Sequence, residues 1–73
     1  MILDERIAKE VADLMYHVAG QVEASIGIVR DGCGPEELLA YKRAVGRVIY
    51  ALYEDVLEPL YKKHPTLRPP APD

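Results

Sequence analysis

The apolar positions of this chain recur every three or four residues along two long stretches. That spacing aligns side chains on one face of an α-helix, at about 100° per residue. In the second stretch, from Pro35 to His64, Leu38, Tyr41, Val45, Ile49, Leu52, Val56 and Leu60 form one seam. Gly46, Tyr50, Tyr53, Leu57 and Tyr61 form a second line roughly a quarter turn away. An apolar arc this wide exceeds what one neighbouring helix covers, so the helix calls for at least two neighbours. Glu36, Arg43, Arg47, Glu54, Glu58 and Lys62 occupy the opposite, solvated side.

The first stretch predicts a helix over about residues 3–30. Asp4 and Glu5 fall in its first turn, where they complement the helix dipole, and Asp4 is also a candidate cap. Ile7, Val11, Leu14, Val18, Val22 and Val29 make a bulky seam, whereas Ala8, Ala12, Met15, Ala19 and Ile26 make one of mostly small residues. The small line admits a partner helix closely and the bulky line fills a core, a division that resembles the layers of an antiparallel bundle. Gly20 and Gly27 weaken the helix by about 1 kcal/mol each relative to alanine, so a break near Gly27 is the main risk to its continuity.

Between the two stretches, residues 31–34 (Asp31-Gly32-Cys33-Gly34) predict a tight turn, with Gly32 or Gly34 suited to the left-handed conformation that ends a helix. Pro35 followed by Glu36 and Glu37 starts the next helix, over about 35–63. Pro59 has no N–H to give the Asp55 carbonyl, which predicts a kink there. Pro65 ends the helix, and residues 65–73 predict an extended, proline-rich C-terminal tail. Two helices of about 28 residues, each roughly 42 Å long and joined this tightly, fold back as an antiparallel hairpin. The expected fold is therefore all-α, with residues 1–64 as a two-helix hairpin. A lone hairpin leaves a seam of each helix wet, so it is expected to dimerise into a four-helix bundle.

Composition points the same way. A 73-residue chain buries a smaller fraction of its surface than a larger domain does when it folds alone. With Cys33 the single cysteine and no Cys/His cluster, neither a disulfide within the chain nor a structural zinc supplies the missing stability. Self-association is what remains, and Leu38, Val45, Ile49, Leu52, Val56 and Leu60 are the expected interface, with Tyr50 and Tyr53 on its rim. The net charge of -3 gives no pull toward nucleic acid or anionic lipid, and the apolar runs are too short for a bilayer. The opening MILDERIAKE lacks the pattern of a signal peptide, and an unpaired cysteine suits a reducing compartment; a soluble, cytoplasmic protein is the expectation.

Candidate chemistry is sparse. Asp13 and His17 are one turn apart with Glu10 nearby, but the spacing differs from the Glu-x-x-His pairs of di-iron bundles and the second helix offers no further ligands. No metal or cofactor is expected. His17 instead falls near mid-helix, where a two-fold axis through the bundle centre would bring its copies together as a pH-sensitive contact. Gln21, Ser25 and Lys42 project toward apolar arcs, with Ser25 and Lys42 at nearly the same height. With His17 they form the one candidate ligand-binding set, either a polar layer or a pocket for a small anion, unless Lys42 simply extends its ammonium into water. Cys33 has no histidine nearby in sequence to activate it, and its glycines lack phosphate-loop spacing. No nucleophile, base and oxyanion donor come together, so catalytic residues are not expected.

Arg30, Arg43, Arg47, Lys62 and Lys63 hint at a basic strip, and the plasmid copy-number regulator Rop is an RNA-binding dimer of helical hairpins. The resemblance is architectural, without a matching motif, and the interleaved Glu36, Glu54 and Glu58 oppose it. The tail's Arg68-Pro69-Pro70-Ala71-Pro72 lacks the full spaced pattern of a polyproline ligand. The expected function is a non-enzymatic, homodimeric interaction or structural module that also meets another protein. A ligand- or metal-binding regulatory bundle is the alternative, and a Rop-like RNA-binding regulator a more distant one.

Overall fold

A computed structural model describes residues 1–69, and within them the chain is all-helical. Helix α1 spans Glu5–Gly32 and α2 spans Pro35–Leu52. A π-helical turn, Tyr53–Leu57, leads into α3, Glu58–Lys63, and a 3-10 turn follows at Pro65–Leu67. The two arms fold back as a hairpin measuring 45 × 23 × 21 Å.

Asp4 caps α1: its carboxylate accepts from the backbone N–H of Arg6 at 2.9 Å and of Ile7 at 3.3 Å, satisfying donors that have no partner inside the helix. The helix passes unbroken through Gly20 and Gly27 and ends two residues later than the pattern suggests. The turn is correspondingly shorter, Cys33 and Gly34 alone. Both are extended, at φ -131°, ψ 169° and φ -81°, ψ 171°, and no described residue has positive φ. The expected left-handed glycine is thus corrected. The Cys33 N–H still bonds the Val29 carbonyl at 2.9 Å, so helical bonding runs to the turn itself, and two extended residues reverse the chain before Pro35 fixes the first turn of α2.

The small line of α1 is the one that meets the second arm. Ala8, Ala12 and Ala19 are buried, and Val45 is the buried residue of α2. Alanines let the two backbones approach, and that closeness leaves the bulkier Ile7 and Leu14 on the flank of the contact, both exposed.

The expected continuous helix over 35–63 is divided by the π-helical turn. There the Glu58 N–H reaches back five residues to the Tyr53 carbonyl. The wider turn accommodates Pro59, which falls in the first turn of α3 where its missing N–H costs least. It also shifts the phase of everything after it, by up to one residue's step of about 100°. Leu57 and Tyr61, assigned by regular spacing to the second line a quarter turn away, are thereby turned inward and join Leu60 in the core, with Leu57 and Leu60 at 0% exposure and Tyr61 at 3%.

The core consequently sits at the open end of the hairpin, where Ala8 and Ala12 pack with Leu57, Leu60 and Tyr61, flanked by Ile2, Met15, Leu52, Val56 and Leu67. The expectation of an extended tail is corrected for its first residues. The 3-10 turn brings Leu67 back onto the core, the Thr66 hydroxyl donates to Glu5 at 2.7 Å, and His64 Nε2 donates to the Ile2 carbonyl at 2.8 Å. A half-buried leucine and these polar contacts favour docking over extension. Residues 70–73, including most of the polyproline stretch, lie outside the described residues.

Candidate functional site

No pocket among the described residues gathers the four residues of the candidate ligand set. His17, Gln21 and Lys42 are exposed, and Ser25 is half-buried. The Ser25 hydroxyl donates to the Val22 carbonyl one turn back, so the 2.7 Å contact between Ser25 Oγ and Tyr41 Oη is donated by the tyrosine. The expected Ser25–Lys42 layer is corrected to Ser25–Tyr41. Tyr41 lies on the seam facing α1, whereas Lys42, one residue on, is turned away from it. Asp13 pairs with Lys9 at 2.6 Å instead of orienting His17. Among the described residues there is no pocket and no group of three or more His, Cys, Asp or Glu side chains placed to hold a metal.

The expected interface residues occupy a different contact. Val45 is 5% exposed and Leu60 fully covered within the single chain, so neither is free to meet a second one. Leu38, Ile49, Leu52, Tyr53 and Val56 are half-buried. Leu52, Tyr53 and Val56 pack against the chain's own core. Tyr50 points outward and is exposed. The inner seam read from the sequence is therefore largely the hairpin's internal seam.

What the chain itself covers least is a stripe along the flank of α1, exposed at Ile7, Leu14 and Ile28, half-buried at Val18 and Ser25, and joined to the core at Val11. Ile7, Val11, Leu14, Val18, Gln21, Ser25 and Ile28 follow one another at alternate steps of four and three, the heptad spacing with which one helix meets another. Leu14 is 56% and Ile28 76% exposed. On α2, Tyr41, Ala44, Val48 and Ala51 follow the same alternation, and Val48 is 52% exposed. Ser25 belongs to one stripe and Tyr41 to the other, so their hydrogen bond places both stripes on the same broad side of the hairpin. Sorting α1 by side-chain bulk obscured this line, because it left out Gln21, Ser25 and Ile28, which continue it. The strict four-three alternation was the available signal.

The other broad side is aromatic and polar. Burial raises the Tyr53 hydroxyl above the ordinary phenol range, and neighbouring Tyr16 and Glu23 add to the shift. At the turn Glu36 and Glu37 are exposed, and Asp31 is held by Arg30 at 3.0 Å; at the open end Lys62 and Lys63 are exposed, with Asp4, Glu5 and Arg6 at the start of the other arm. No helix among the described residues is long and apolar enough to cross a membrane. Comparison with protein-family models, curated proteins and solved structures finds no match.

Proposed function

We propose that the chain is a non-enzymatic, cytoplasmic structural or interaction module that works as a homodimer, two hairpins closing into a four-helix bundle. The observation that carries this reading is the heptad stripe on α1, exposed at Ile7, Leu14 and Ile28, beside that of α2, exposed at Val48. Covering a leucine, isoleucine or valine is worth about 1.5–3 kcal/mol when complete, and a two-fold contact counts each residue twice. Leu14, Ile28 and Val48 therefore supply a driving force comparable with the whole stability of a small domain, before the cost of association is set against it.

Sedimentation across a micromolar concentration series tests the reading. The expected species is a dimer, reduced to monomer in Leu14→Asp and in Val48→Asp with helical circular dichroism largely kept, because both side chains lie outside the hairpin core. A compact wild-type monomer throughout the series overturns the proposal. The ligand-binding alternative gains nothing from the hydroxyl at its centre: Ser25 already has two hydrogen-bond partners within the chain.

A further inference from the structure

Resting on the self-association reading, we infer that the partner is a second copy stacked end for end, α1 on α1 and α2 on α2, so that Glu37 of each chain meets Lys63 of the other.

Two face-to-face arrangements preserve two-fold symmetry. With the axis along the rods, α1 of one copy lies over α2 of the other and the turns share an end. With the axis across the rods, like helices lie antiparallel and the turn of one copy covers the open end of the other. The positions of Glu37 and Lys63 separate them. The first gathers Asp31, Glu36 and Glu37 of both copies at one end, and it sets Glu37 over the apolar Ile28. The second brings Glu37 of each copy to the open end of the other, where Lys62 and Lys63 are exposed.

The register follows from observed contacts. The stripe on α1 runs from Ile7 to Ile28, so its midpoint lies at His17–Val18. The Ser25–Tyr41 bond fixes the relative height of the arms, and counting from it along antiparallel helices sets Val48 level with that midpoint. An axis at that midpoint, between His17 and Val18 and beside Val48, pairs Ile7 with Ile28 and brings the two Val48 side chains together. After allowance for the extra residue in the π-helical turn, the same axis carries Glu37 to within one turn, about 5.4 Å along the rod, of Lys63. Both are exposed and long enough to bridge that offset.

Disulfide trapping in a Cys33→Ser background tests the arrangement. Val48→Cys alone is expected to give a covalent dimer on mild oxidation, well above a Tyr50→Cys control. Ile7→Cys with Ile28→Cys should also cross-link between chains, since within one helix those positions are about 31 Å apart. Glu37→Lys should weaken the dimer roughly threefold to tenfold, and adding Lys63→Glu should restore it. A dimer in which Val48→Cys stays reduced, while mixed Val18→Cys and Val48→Cys chains cross-link, overturns the end-for-end arrangement and leaves self-association standing. A Cys33→Ser protein that sediments as a monomer overturns both.

Discussion

Arg68 holds both carboxylate oxygens of Glu58, Nη1 to Oε1 and Nη2 to Oε2, each at 2.9 Å. The same guanidinium lies 5.0 Å from the centroid of the Tyr61 ring, so one side chain fixes the returning tail both to α3 and to the edge of the core. Arg68→Ala is expected to release the segment after His64 while leaving the helices in place. Faster amide exchange at Leu67 and Arg68, with unchanged protection in α1, is the result to look for. Leu67→Ala should lower stability by roughly 1–2 kcal/mol in denaturant titration, about what half-burial of a leucine is worth.

The clasp is also sensitive to acid. The hydrogen bonds from Arg68 hold the Glu58 carboxyl below its usual range. A group whose folded pKa is depressed contributes its stability above the unfolded pKa and loses it as pH falls through the folded one. The tail should therefore stay docked through the ordinary carboxylate range and detach only below it. Following the Leu67 methyl signals from neutral to strongly acidic pH checks this, and Glu58→Gln should remove the step.

Alkaline titration should divide the five tyrosines. Burial pushes Tyr61 and Tyr53 above the ordinary phenol range, each with the other or Tyr16 nearby adding to the effect. Groups whose folded pKa is raised support the fold below the unfolded value and cease to as pH climbs through the folded one. Phenolate absorbance at high pH is expected to show a late-titrating fraction that disappears in urea, and loss of helicity should accompany it.

The π-helical turn is maintained by the core more than by its proline. A regular helix through Tyr53–Leu57 would rotate Leu57 and Tyr61 toward solvent, forfeiting burial worth about 1.5–3 kcal/mol for each. Pro59→Ala should keep the Glu58-to-Tyr53 bond and change stability little, whereas Leu57→Ala should cost about 2–5 kcal/mol. Long-range NMR couplings across that hydrogen bond, with chemical denaturation, distinguish this from a turn dictated by Pro59, which would regularise in the alanine variant.

Cys33 is exposed at the turn, yet its thiol should react slowly. A hydrogen bond to the Glu37 carboxylate is the main cause that raises its pKa, and the thiolate is the reactive form. Glu37→Gln is expected to speed reaction with a disulfide reagent at neutral pH. An unchanged rate would show that the carboxylate does not reach the thiol in solution.

Much of the architecture was legible from spacing alone. Pro35 and its acidic neighbours marked the start of α2, Asp4 the start of α1, and the apolar period the existence of both arms. Regular spacing failed where the helix is not regular: Leu57 and Tyr61 fall a quarter turn from the inner seam at a constant 100° per step and in the core of the hairpin once Tyr53–Leu57 adds its extra residue. The tail was misread because Pro65, Pro69 and Pro70 suggest extension, while the contacts that fold it back come from Glu5, Ile2 and Glu58, distant in sequence. Tyr41 escaped the candidate polar layer because an aromatic on a seam reads as packing, although its hydroxyl is what Ser25 receives.

The bend at Cys33 and Gly34 has a practical side. Both residues use backbone angles open to any side chain, and a Cβ at Gly34 would meet nothing within 4 Å. The tip is thus a natural place to attach a dye, a spin label or an affinity handle, since it tolerates ordinary residues and stands at the opposite end from the packed core.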